Sequence, residues 1–186
     1  MVERKGSVFG IITLIIGIAG LGLGGYSLYS NLQILNQTNV QEENQSITRV
    51  FKSGSTVISE NTWWKIDFDV LDFDVYNNFN IITDVFNCTN PDYYQISGLI
   101  TFVLLQDGEE AYAAIVKNNA INEAINIVHA SNTGAISTGV VDIVYLSEGD
   151  TIELQTYHTG SGGRGVYGSP NGVYTYLSIA FIGNPN

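Results

Sequence analysis

The sequence predicts one membrane-spanning α-helix followed by an all-β domain, a β-sandwich of the jelly-roll kind. Two observations support this fold class. Residues 8–28 are almost wholly apolar or glycine, and no charged residue occurs between Gly6 and Gln41. After Ser55, about eight to ten short segments alternate apolar and polar residues, turn sequences separate them, and no convincing helical period appears.

The apolar segment is long enough to cross a bilayer, which takes roughly 20 helical residues with internally satisfied backbone groups. Arg4 and Lys5 precede it, and Glu42 and Glu43 are the first charges after it. Basic flanks stay cytoplasmic, so we expect a single-pass protein of the cell membrane with its N-terminus inside and its head outside. The predicted parts are a cytoplasmic N-terminus (1–6), a transmembrane helix (7–28), a stalk or linker (29–54) and the head (55–186).

Two other readings of the N-terminus stay open. One is a cleaved secretory signal, although the apolar run is long for such a signal. The other is a pilin-like leader, processed after Gly6, whose apolar helix packs in the core of a surface filament.

Small residues recur within the predicted helix at alternating spacings of four and three, which places them on one stripe. In lipid, small residues let helix backbones approach closely. The stripe therefore predicts self-association of the helix. Its members are Gly6, Gly10, Thr13, Gly17, Gly20, Gly24 and Ser27.

The composition restricts the partners of the head. The formal net charge is -11, and such a surface repels nucleic acid and anionic lipid headgroups. Cys88 is the single cysteine, so the chain has no intrachain disulfide, and we expect a free thiol in a loop. Three sequons, at Asn36, Asn44 and Asn87, are candidate glycosylation sites of an outside domain.

Alternation along the chain predicts the individual strands. Between Ile66 and Val75 the apolar parity switches by one residue, which indicates a bulge or a break into two strands. The last strand is apolar on both faces, which predicts a position at the centre of a sheet or against a neighbouring subunit. This last strand covers residues 173–182, and the other predicted strands cover residues 79–86, 94–104, 111–117, 124–129, 140–146 and 151–157.

No catalytic constellation is apparent. His129 and His158 are the two histidines, and neither has a nucleophile or metal ligand at a recognisable spacing. We therefore expect a protein that is not an enzyme, with a secreted β-sandwich enzyme as the alternative. The glycine-rich segment 160–165 lacks the Gly-Lys-Ser/Thr of a phosphate loop. As a flexible loop it is a candidate binding element, with Arg164 as its ligand-contacting residue.

The head resembles the globular domain of the C1q and tumour necrosis factor superfamily over about residues 60–183. The family's order of aromatic and acidic residues is matched by Phe68, Asp74, Phe79 and Phe86. Its later motifs are matched by Gly98-Leu-Ile-Thr-Phe102, Lys117-Asn-Asn119, Leu146-Ser-Glu-Gly-Asp-Thr-Ile-Glu-Leu154 and Gly165-Val-Tyr-Gly168. Ile100 and Ile179 stand where the family has tyrosine and glycine.

The resemblance implies a ten-stranded jelly roll that assembles as a homotrimer and binds a protein or glycan rather than catalysing a reaction. It implies an aromatic inner sheet around the three-fold axis, which makes Tyr94, Phe102, Tyr174, Tyr176 and Phe181 candidates for the interface or core. Some heads of this family hold calcium in loops near their apex. Asp107, Glu109 and Glu110 are therefore candidate ligands for Ca²⁺ or for a partner.

Overall fold

The computed structural model describes residues 47–183, except for the side chains of Ile121 and Asn122. The predicted cytoplasmic segment and membrane helix, the glycine stripe, and the sequons at Asn36 and Asn44 lie outside the described residues. Within residues 47–183, no helix is long and apolar enough to cross a membrane.

The described chain is built from β-strands throughout. Between residues 47 and 183 the strands are β1 (Ile47–Phe51), β2 (Thr56–Ile58), β3 (Trp64–Lys65), β4 (Val70–Asp74), β5 (Phe79–Asn80), β6 (Val85–Asn87), β7 (Asp92–Leu105), β8 (Glu110–Lys117), β9 (Ala120–His129), β10 (Gly134–Leu146), β11 (Thr151–His158), β12 (Arg164–Val166) and β13 (Tyr176–Phe181).

The strands form two sheets that pack as a sandwich. The first sheet has the order β2-β12-β7-β13-β1-β4, and β10 pairs with the other edge of β7. The second sheet has the order β5-β6-β11-β8-β9, and β3 pairs with β11. Neighbouring strands are antiparallel, so each can bury one face and leave the other to solvent.

The core lies between the sheets and follows the period-two alternation of the sequence. In β7, Tyr94, Ile96, Ile100 and Phe102 are fully buried, while their neighbours in sequence face the other way. Gly98 continues this buried face without a side chain. A Cβ atom there would lie 2.5 Å from Leu154 Cδ1, so glycine is what lets the two sheets approach at this point.

From Asp92 onward every predicted strand is present, although β9 and β10 begin at Ala120 and Gly134 rather than at residues 124 and 140, and β12 was not predicted. The turn between β8 and β9 contains Asn118 and Asn119, with φ angles of 51° and 61°. Asparagine tolerates these left-handed values better than most residues, and they suit a two-residue hairpin turn. The last strand is shorter than predicted and pairs with both β7 and β1 inside the first sheet.

Two predictions about the first third of the head need correction, and the structure decides between the two alternatives for the parity switch. The sandwich begins before residue 55, because β1 lies inside the range assigned to the stalk and pairs with β13. The predicted strand 79–86 is a hairpin of two short strands, β5 and β6. The parity switch marks a break, since Ile66 and Phe68 are buried before β4, whereas Leu71 and Phe73 are both 41% exposed.

Candidate functional site

Arg164 is buried in β12 and does not lie at the tip of a loop. Its Nε atom donates to Glu109 Oε2 at 2.7 Å, and its Nη2 atom donates to Glu109 Oε1. The two side chains are only 8% and 12% exposed. This fork-to-carboxylate pairing lowers the pKa of Glu109 and raises that of Arg164. Both charges are therefore engaged inside the domain, contrary to the expectation that they contact a ligand.

The structure separates the other two predicted calcium ligands. Asp107 lies in the exposed turn before β8. Glu110 accepts a hydrogen bond from the Tyr112 hydroxyl at 2.5 Å, and its other oxygen lies 3.4 Å from His129 Nδ1. Among the described residues, no group of three or more Asp, Glu, His or Cys side chains is arranged to hold a metal ion. The geometry thus gives the calcium prediction no support.

The predicted interface or core residues differ in how deeply they are buried. Tyr94 and Phe102 are fully buried, and the Tyr94 hydroxyl donates to the Asn90 carbonyl at 2.7 Å. Burial raises the pKa of Tyr94. Phe181 and Tyr176 are half-buried, and Tyr174 is 41% exposed. Only the last three keep side-chain surface exposed to solvent.

The outward side chains of β7, β10 and β13 form an uncharged surface on the first sheet, which we call the first-sheet face. Arg49 of the neighbouring strand β1 borders this surface, with its guanidinium 5.1 Å from the centroid of the Tyr176 ring. Register and alternation place side chains of β7, β10 and β13 on this surface, and none of them belongs to an Asp, Glu, Lys, Arg or His residue. Val141 and Ile143 are each 61% exposed. The members are Tyr93, Gln95, Ser97, Leu99, Val141, Ile143, Tyr145, Tyr176, Ser178 and Ala180.

The second sheet carries an aromatic cluster that the sequence did not reveal. Trp63, Tyr112 and Tyr157 come from separate segments, and their ring centroids are 5.2–6.1 Å apart. All three are half-buried. We call them the outer aromatic cluster. Alternation along β8 and β11 marks Tyr112 and Tyr157 as outward-facing, but their meeting at Trp63 depends on pairing across the sheet.

Cys88 and His158 have buried, structural environments, whereas Asn87 is exposed. Cys88 is free but 2% exposed, and burial raises the pKa of its thiol. The predicted loop thiol is therefore inaccessible. His158 is fully buried, with Nδ1 lacking a hydrogen-bond partner. Asn87 is exposed at the end of β6, so its sequon is open to solvent.

A small cleft opens between the edges of the two sheets beside Trp64. Its volume is about 200 Å³, and Ile58, Ile66 and Val166 form its apolar floor. Trp64 is 38% exposed at the mouth, next to Lys65. The cleft is smaller than the usual range for drug-sized ligands, roughly 300–1,000 Å³.

Known structures share this architecture. The globular domain of zebrafish complement 1qA protein superposes with a TM-score of 0.58 and 13% identity, covering 76% of this chain and 100% of that domain. Murine APRIL at pH 5.0 superposes with a TM-score of 0.56 and 11% identity, covering 75% of this chain and 100% of that one. Eiger TNF from S. frugiperda superposes with a TM-score of 0.55 and 13% identity, covering 76% of this chain and 94% of that one. The head has the C1q/TNF-like fold.

No family model matches the sequence, and no curated protein matches it by sequence. The C1q/TNF-like fold nevertheless accounts for residues that carried the resemblance. Phe68, Phe79 and Phe86 are all buried, and the rings of the first two meet edge to face at 6.0 Å. Gly98 is required by the contact with Leu154. These positions pack inside the sandwich and stabilise it. They do not determine which side chains its two outward faces carry.

Proposed function

We propose that this protein is a membrane-anchored binding module whose C1q/TNF-like head assembles as a homotrimer outside the cell. The fold supports a binding role, since C1q and TNF heads of this kind are not enzymes. The apolar segment 7–28 and its basic flank support the anchor and its orientation. The stripe of small residues in the same segment supports association at the membrane.

The first-sheet face is the main observation that supports the proposed trimer. Residues 47–183 contain fifteen Asp and Glu and five Lys and Arg, yet three adjacent strands direct only uncharged side chains outward. Depletion of charge together with exposed aromatic and branched residues distinguishes the core of an interface from ordinary surface. Tyr93 and Tyr145 already meet edge to face there, with ring centroids 5.3 Å apart.

The mass of the head in solution tests this proposal. We expect residues 45–186, which form one compact unit, to sediment at three times the chain mass. Ile143→Glu places a charge at the centre of the first-sheet face and is expected to give monomers. Ile82→Glu is the matched control, because Ile82 is 88% exposed and lies away from this face. A wild-type monomer, or equal effects of the two variants, would contradict the proposal.

The fate of the N-terminus separates the anchor from its alternatives. An anchored protein keeps residues 1–28 in its intact mass and remains with membranes after a high-salt wash. A chain processed after Gly6 and recovered in fibres would instead indicate a filament subunit. Loss of the whole apolar segment would indicate a secreted head. Protease added to intact cells should degrade the head in the first case.

A further inference from the structure

The outer aromatic cluster lies on the second sheet, whereas the first-sheet face belongs to the other layer of the sandwich. Assembly through the first-sheet face therefore leaves this cluster in solvent. The Trp63 and Tyr157 rings are in contact, tilted by 38° with centroids 5.5 Å apart. Tyr112 meets Tyr157 edge to face at 5.2 Å, so the three rings form one cluster.

Hydrogen bonds fix the two tyrosines in place. The Tyr157 hydroxyl donates to Asn61 Oδ1 at 3.0 Å, and the Tyr112 hydroxyl donates to Glu110 Oε2 at 2.5 Å. Holding the rings in advance reduces the entropy lost on binding. The Glu110 side chain is 31% exposed, and its Oε1 atom, 3.4 Å from Nδ1 of the exposed His129, is the acceptor that a ligand beside the rings can reach.

The surplus of negative charge on the domain favours a cationic ligand. Each of the five Lys and Arg residues in the described chain lies within 4 Å of a carboxylate oxygen, so fifteen acids leave ten negative charges without a lysine or arginine. An anionic ligand would be repelled over the whole surface. A cation over Trp or Tyr faces is attracted by the rings, and a neighbouring carboxylate adds to that attraction.

We propose that the outer aromatic cluster binds an arginine side chain of a protein partner, with its guanidinium stacked on Trp63 and Tyr157 and hydrogen-bonded to Glu110. Arginine suits this site better than lysine, because its planar, weakly hydrated group stacks on rings and pairs with a carboxylate through two donors. Ile125 and Ile127, 49% and 45% exposed on β9, offer apolar contacts to residues beside the arginine. This inference rests on the proposed binding function and names its ligand class.

Tryptophan fluorescence tests the site. Trp63 and Trp64 are the only tryptophans, so the Trp64→Phe variant of the full chain, in neutral detergent, reports on Trp63 alone. We expect a short peptide of alternating arginine and serine to change its emission saturably. The lysine version should bind more weakly, and the citrulline version, which has the same shape without the charge, should not bind. Glu110→Gln should weaken arginine-peptide binding at least about tenfold.

The controls make each outcome decisive. Glu148→Gln removes the same charge from the exposed turn before β11 and should change affinity less than about twofold. Equal losses in Glu110→Gln and Glu148→Gln would overturn the site in favour of general attraction to an acidic surface. Binding of the citrulline peptide or of a neutral oligosaccharide would also overturn it, as would no response. A trimer that ignores arginine refutes this inference alone, whereas a monomer that binds arginine refutes the trimer alone.

Discussion

The ion pair between Arg164 and Glu109 gives the sharpest test of how this sandwich is stabilised. Glu109→Gln keeps the size of the side chain and an oxygen that can accept from the Gln106 backbone N–H, which donates to Glu109 Oε2 at 2.9 Å. It removes the charge opposite a guanidinium that is only 8% exposed. Breaking a buried pair from one side costs about 3–5 kcal/mol, because the remaining charge is left without compensation.

Chemical denaturation of residues 45–186 at one fixed protein concentration measures this loss. We expect Glu109→Gln to lower the free energy of unfolding by about 3 kcal/mol at pH 7, and the midpoint of thermal unfolding by about 10 °C for a domain of this size. The double variant Glu109→Gln/Arg164→Met leaves no charge at this buried site, so it should be more stable than the sum of the two single losses predicts.

The pH dependence gives a second readout of the same pair. The pKa of Glu109 is lowered in the folded state, so its contribution is complete above the ordinary pKa of a glutamate, about 4.3. It is lost as pH falls through the lowered folded value. The difference between wild type and Glu109→Gln should therefore shrink in acid. Strictly additive single and double variants, or a loss below about 0.5 kcal/mol at pH 7, would refute the reasoning.

Three further predictions concern other parts of the sandwich. Gly168→Ala should destabilise the head by about 3 kcal/mol or more, because the new Cβ would lie 2.2 Å from the Gly54 carbonyl oxygen, whereas Gly139→Ala makes only an ordinary contact and should be nearly neutral in the same denaturation assay. Cys88 should resist a thiol-specific chromogenic reagent in the native head and react fully after unfolding; rapid native reaction would contradict its burial. Asp150→Asn should lower the free energy of unfolding by at most about 2 kcal/mol at neutral pH, because hydrogen bonds lower the pKa of the Asp150 side chain to about 2. This loss should disappear as the pH falls from about 4 to about 2. A loss that does not depend on pH would contradict this explanation.

Local pattern was enough to predict most of the strands. Alternation over β7 and β11 and the turn residues Asn118 and Asn119 act within a few residues, so the sequence displays them directly. β1 was missed because its five residues include a charged Arg49 and directly follow a polar stretch. It is a strand because the edge of β13 is available to it, and that edge lies about 130 residues away in the chain.

The candidate sites depended on long-range register, which sequence pattern does not contain. Arg164 and Glu109 are 55 residues apart, and nothing near either one indicates the other. The same holds for Trp63, Tyr112 and Tyr157, which meet only because β3 and β8 both pair with β11. The sequence pointed to acidic and glycine-rich loops as candidate sites. In the structure, the two surfaces of unusual composition, the first-sheet face and the outer aromatic cluster, lie on the faces of the sheets.

The uneven distribution of charge predicts that the two proposed binding events respond to salt in opposite directions. Three heads with ten surplus negative charges each repel one another, while the face on which they would meet carries no charge. Raising the ionic strength from about 0.1 M to 1 M shortens the Debye length from about 10 Å to about 3 Å, which weakens this repulsion without weakening apolar burial. Trimers should therefore form at lower protein concentration in high salt, whereas an arginine peptide should dissociate from the outer aromatic cluster. If both contacts respond to salt in the same direction, the same charges govern both of them. The proposal that one face forms the trimer and the other binds arginine would then be wrong.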